Sequence, residues 1–76
     1  MKEFLLYLLS RIVDVPAELE VQEKEIGENS FQYLITAQKE DIGKIIGKGG
    51  KIITSIRNIA KILAVKEGKQ IRIEIG

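Results

Sequence analysis

The apolar positions of the chain change period several times, and each change marks a new element. Phe4, Leu5, Leu6, Leu8, Leu9, Ile12 and Val13 recur at i, i+4, i+5 and i+8, which predicts an amphipathic helix over residues 1–13. Asp14-Val15-Pro16 ends it, because the residue before a proline avoids helical dihedrals and proline has no amide to donate. Ala17, Leu19 and Val21 then alternate with Glu18, Glu20 and Gln22, the period of a strand with one wet face. Gly27-Glu28-Asn29-Ser30 carries turn chemistry, and Phe31 to Ala37 resumes the alternation with aromatic and β-branched residues. Residues 18–38 therefore predict a hairpin.

Beyond the hairpin a helical period begins and is at once interrupted. Asp41 reads as an N-cap for a short helix from Ile42 to Ile46, with Ile42, Ile45 and Ile46 turned inward. Gly47-Lys48-Gly49-Gly50 stops that helix, since each glycine costs roughly 1 kcal/mol against alanine in a helix interior. After the loop, Ile52, Ile56, Ile59 and Leu63, flanked by Ile53 and Ala60, predict the buried stripe of a second helix from about Lys51 to Val65. Thr54, Arg57 and Lys61 fall on a separate polar stripe. Lys66-Glu67-Gly68-Lys69 is a turn, and residues 70–75 alternate as a last strand with Ile71, Ile73 and Ile75 inward. Two helices between the second and third strands require a crossover, which makes parallel pairing available. The predicted class is α+β: one domain over residues 1–76, a three-stranded mixed sheet with helices packed on one face.

Composition removes several functions. A chain of 76 residues is near the size at which a single core becomes marginal, and leaves no room for a second catalytic lobe. It has no cysteine and no histidine, so thiol nucleophiles, imidazole or thiolate metal sites and the usual near-neutral general base are missing. The carboxylates from Glu18 to Glu28 read as the solvated face and tip of the hairpin, with no cue for a catalytic pair. An enzyme is therefore not expected, and neither a cofactor nor a metal is implied. The first apolar run is interrupted by Ser10-Arg11, lacks a small-residue cleavage site and is too short to span a bilayer. It is expected to be a core helix of a cytoplasmic protein with no membrane partner.

Charge is informative only once the chain is divided. Residues 1–38 hold three basic against seven acidic residues, and residues 39–76 hold nine basic against four acidic. The positive field thus belongs to the half with the glycine loop, where a polyanion would be attracted. Without Cβ atoms at Gly47, Gly49 and Gly50, another backbone can approach the loop closely. The amides opening the following helix are partly positive and suit an anion. Lys48 at the tip, with Lys44 and Lys51 on either side, makes a phosphodiester the better match than a lone carboxylate.

The run Ile46-Gly47-Lys48-Gly49-Gly50-Lys51-Ile52-Ile53 resembles the I-G-x-x-G-x-x-I core of KH domains, whose GXXG loop clamps a short single-stranded segment. The order helix, strand, strand, helix, GXXG, helix, strand covers nearly the whole chain and is similar to the type II KH arrangement. Among these it is most similar to the small single-KH-domain RNA-binding proteins of bacteria, the KhpA type. The resemblance implies a groove bounded by the loop and its two helices on one side and the last strand on the other. It implies backbone contacts from Gly47, Lys48, Gly49 and Gly50, helped by Lys44 and Lys51. Ile45, Ile46, Ile52 or Ile53 would contribute to an apolar floor, and Thr54, Arg57 and Arg72 are the polar candidates. Contact with two or three phosphates predicts a salt slope of roughly −1.5 to −2. The implied activity is that of an RNA chaperone or post-transcriptional regulator. The implied partners are single-stranded RNA and either a second copy of the chain or a larger KH-containing Jag-type protein.

Other readings of the same residues stay open. The glycines can serve only to turn a helix pair, with the lysines solvated. A P-loop is a poorer match, because Gly43 and Gly47-Lys48 stand too close and Gly49 occupies the place of the required Ser or Thr. A helix after a glycine turn also suits the major groove of duplex DNA. A small protein-interaction or dimerisation domain, using the first helix or a sheet edge, is the reading without nucleic acid.

Overall fold

The computed structural model describes residues 1–76, and its elements follow the order of the periodicities. Helix α1 spans Lys2–Ser10, and a 3-10 turn over Pro16–Glu18 leads into strand β1, Glu20–Gly27. Strand β2 spans Ser30–Thr36, helix α2 Lys39–Ile46, helix α3 Lys51–Lys66 and strand β3 Gln70–Ile75. A second 3-10 turn, Lys48–Gly50, joins α2 to α3.

The three strands lie in the order β1-β2-β3. β1 and β2 form an antiparallel hairpin in which Val21 faces Ile35 and Glu23 faces Tyr33. Its two-residue turn places Asn29 at a φ of 55°, a left-handed conformation that asparagine tolerates better than most residues. β2 and β3 run parallel, with Tyr33 opposite Ile73, as the intervening helices require. Period-2 geometry then puts Val21, Tyr33, Ile35 and Ile73 on one sheet face, where they join Leu5, Leu9, Val13, Ile45, Ile53, Ile56 and Ala60 in one core. The opposite face carries Gln22, Lys24, Gln32, Arg72 and Glu74, which explains why it needs no cover.

Four details depart from the sequence expectations. α1 stops at Ser10, short of Val13, although Val13 still reaches the core and donates its amide to the Leu9 carbonyl. The first strand begins at Glu20, because Pro16-Ala17-Glu18 closes a 3-10 turn with Leu19 N–H bonded to Pro16 O. α2 begins at Lys39, so Asp41 lies inside the helix and caps nothing there.

The fourth departure concerns α3, whose buried positions are Ile53, Ile56, Ala60 and Ala64. Ile52 and Ile59, expected inside, are 39% and 47% exposed, and Ile46 of α2 is also turned outward. Apolar residues lie nearly all round α3, so its periodicity admits more than one inward face. The loop settles the choice: Gly47 has a φ of 75°, and a Cβ there would lie 2.6 Å from the Ile52 side chain. Ile52 therefore packs over the bare loop, and the helix turns its next residue, Ile53, into the core.

Candidate nucleic-acid interface

The glycine loop is a left-handed bend built from residues that can occupy it. Gly47, Gly49 and Gly50 have φ of 75°, 65° and 74°, values that cost an ordinary L-residue roughly 1–2 kcal/mol each. A Cβ at Gly49 or Gly50 would meet open space, so those two positions are free for another molecule to approach. Gly50 N–H closes the turn onto Gly47 O at 3.1 Å, and no side chain caps the start of α3. With Lys48 and Lys51 exposed beside it, this helix start is open to an anionic oxygen.

What aims α2 at the loop is a carboxylate buried among apolar neighbours. Asp41 is 1% exposed, and both its oxygens accept backbone amides of the α1–β1 connection: Oδ1 from Asp14 N–H at 3.0 Å and Oδ2 from Val15 N–H at 2.9 Å. The Asp14 amide, then burial working against it, the Val15 amide and the Lys44 cation together hold the Asp41 pKa below the usual carboxylate value. Lys44 forms an ion pair with Asp14, and that hydrogen bond raises the Lys44 pKa. The staple thus joins α2 to the chain segment before β1, using residues 26 and 27 positions apart in sequence.

The residues named from the sequence separate into three groups. Gly47, Lys48, Gly49, Gly50 and Lys51 form the loop and its exposed surround, with Ile46 exposed next to them. Thr54, Arg57 and Arg72 are also exposed: the first two are on α3, and Arg57 and Arg72 both border an open cleft of about 480 Å³, Arg72 from the outer face of β3. Lys44 and Ile53 do not join them. The first is engaged by Asp14, and the second is 5% exposed, supporting the site from beneath.

Lys61, Ile71, Ile73 and Glu74 also line the cleft and were not among the candidates. Lys61 carried a usable signal, its spacing of four from Arg57 on one helical stripe. Lys51, Thr54, Arg57 and Lys61 make a polar, mostly cationic edge of α3 that runs about 15 Å from the loop. No group of three or more Asp or Glu side chains is placed to hold a metal ion, and no helix is long and apolar enough to cross a membrane.

A family model described as KhpA/KhpB, KH domain matches residues 2–75. The chain belongs to that family. It is 41% identical over 75 residues to the RNA-binding protein KhpA of Chlamydia trachomatis, covering 99% of this chain and 95% of the relative. The KhpA of Clostridium acetobutylicum is also 41% identical, with 99% of both chains covered. That of Listeria monocytogenes is 35% identical over 99% of this chain and 97% of the relative. No solved structure matches the chain. Membership of the KhpA/KhpB family agrees with the α-β-β-α-α-β order, the mixed sheet and the glycine bend between α2 and α3.

Proposed function

We propose that the protein is a non-catalytic, cytoplasmic RNA-binding module that grips single-stranded RNA by its sugar-phosphate backbone, as an RNA chaperone or post-transcriptional regulator. The observation that carries the reading is the Cβ-free, left-handed bend at Gly47-Lys48-Gly49-Gly50, which opens onto an uncapped helix start flanked by exposed lysines. The relatives' name, RNA-binding protein KhpA, supports RNA as the polyanion. In this reading Gly47 to Lys51 hold phosphates, Ile46 and Thr54 border the entry, and Arg57 and Arg72 flank the strand as it passes along the cleft. Ile53 and Lys44 act from outside the contact surface, one by packing and one through Asp14.

The reading includes a protein partner, either a second copy of the chain or a larger KH-containing Jag-type protein. The family description, which pairs KhpA with KhpB, supports this, as do Ile52, Ile59 and Ile62, exposed along α3 away from the cleft.

The decisive experiment is titration of a fluorescent single-stranded oligoribonucleotide with the wild type and the Lys48→Asp/Gly49→Asp variant at low salt. Both replacements are at open, exposed positions, and Gly49→Asp adds only the left-handed strain of about 1–2 kcal/mol, so the melting transition is expected to stay cooperative and fall modestly while binding is lost. Equal binding by the two proteins would overturn the assignment of the loop.

A further inference from the structure

The cations near the bend are not equally free. Lys48 and Lys51 are exposed, and no carboxylate pairs with either. Arg57 donates to the Ile73 carbonyl at 3.1 Å, a neutral acceptor that leaves its charge uncompensated. Lys44 alone among them is paired with an anion, the Asp14 carboxylate. It stands in the last turn of α2, three residues before Gly47, which is about 4.5 Å along the helix axis. A Cβ at Gly43, the preceding residue, would meet nothing within 4 Å, so this turn is open to another molecule as the bend is.

What holds Lys44 back is a carboxylate on a fixed backbone. An exposed ion pair normally gains little, because two flexible side chains must be ordered to make it. Here one side is positioned beforehand: the Asp14 and Val15 amides donate to Oδ1 and Oδ2 of buried Asp41, at 3.0 and 2.9 Å, which anchors the backbone that carries Asp14. Three carboxylates act on Lys44 together. Its pKa is raised by the Asp14 hydrogen bond first, against burial, and then by the charges of Asp14, Asp41 and Glu40. Arg11, the cation nearest Asp14 in sequence, is turned away: its Nη2–H donates to the Tyr7 hydroxyl at 3.0 Å, and its guanidinium lies 4.8 Å from the ring centre. Lys44 is therefore the one cation that Asp14 holds.

We propose that Asp14 is a built-in competitor of RNA: by holding Lys44 as a phosphate would, it withdraws one phosphate contact from the grip. The proposal rests on the RNA-binding reading and adds to it a limit on the grip's strength, set by the connector between α1 and β1. Carboxylate and phosphate oxygens offer an ammonium the same charge-assisted hydrogen bond, so the two anions are alternatives for Lys44. Its four-carbon stem lets the ammonium turn from one to the other without moving α2. Releasing Lys44 thus adds a contact, and each phosphate contact on a single strand steepens the fall of log K with log salt by roughly 0.7.

The test titrates fluorescent rU8 across roughly 50–200 mM salt with the wild type and five variants. Asp14→Ala keeps the amide that Asp41 accepts, and should bind about two- to fivefold tighter at the low-salt end, the scale of one exposed charge pair. Its salt slope should be steeper by roughly 0.7. Asp14→Asn, which still offers an uncharged acceptor, should move the same way by less, and stands in for the alanine variant if that one melts early. Adding Lys44→Gln to Asp14→Ala should cancel the gain and restore the slope. Glu40→Ala removes a carboxylate from α2 without freeing Lys44, and should keep the wild-type slope. Unchanged affinity and slope on losing the Asp14 carboxylate, a gain that survives Lys44→Gln, or an equal steepening in Glu40→Ala would each overturn the proposal. In those cases, loss of binding by the fifth variant, Lys48→Asp/Gly49→Asp, would leave the backbone-gripping reading standing. Undiminished binding by that loop variant would remove both.

Discussion

The inner and outer sides of the α2–α3 pair are made from the same residue types and do opposite things with them. Inward, Ile45, Ile53 and Ile56 close the core, and Asp41 is a buried anion with both oxygens satisfied by backbone amides. Outward, Ile46, Ile52, Ile59 and Ile62 meet solvent, and Lys48, Lys51 and Arg57 are exposed cations. Isoleucine is therefore core or open surface according to its angle on the helix, and the glycine bend sets that angle. Inner residues should govern whether the chain folds, and outer residues what the folded chain can hold.

The strongest way to break the contrast is to truncate an inner isoleucine. Ile56→Ala deletes buried volume in a small core and is expected to cost about 2–5 kcal/mol, read from urea unfolding. Its outer counterpart, Ile59→Ala, should change stability by less than about 0.5 kcal/mol; a cost near that of Ile56→Ala would erase the distinction.

A smaller effect is expected at the bend. Gly47→Ala forces a Cβ into a left-handed position and against Ile52, which should cost about 1–3 kcal/mol and weaken RNA binding as well. An alanine variant with wild-type stability would show that the bend is not what orients α3.

Asp41 sharpens the comparison through pH. Its pKa is lower folded than unfolded, so its contribution to stability is complete above the ordinary aspartate value. That contribution is lost as pH falls through the depressed folded value. Stability curves of wild type and Asp41→Asn should accordingly lie apart at neutral pH and converge in acid; parallel curves would mean that the staple carries no pH-dependent share.

The smallest structural effect belongs to Ile59→Asp, which should leave unfolding almost unchanged and lower any self-association seen by sedimentation. An unaltered oligomer would shift the pairing surface to another part of the molecule.

Most of the architecture was legible because its elements announce themselves locally. The hairpin, the helix-glycine-helix and the last strand each have a period and a boundary residue, and the structure keeps all of them. The KH family was legible for the same reason, since its loop is a contiguous octet. What the sequence concealed depends on contacts between distant segments. Asp41 near the start of a helix looks like a cap, and only the arrival of the Asp14 and Val15 amides makes it a staple. The same contact claims Lys44, through Asp14, from the apparent lysine trio. The choice between Ile52 and Ile53 needed the φ of Gly47, which no periodicity records. Arg57 was nameable as polar and near the groove, but its hold on the Ile73 carbonyl required the parallel placement of β3.

The staple also sets a limit on dissection. A fragment starting at β2 would keep both helices, the bend and the cleft, yet it would leave the Asp41 anion deprived of its two amides in an oily setting. The opening third of the chain is thus a counterpart that the gripping half cannot shed, and anyone transplanting this grip to another scaffold would have to bring the connector before β1 along with it.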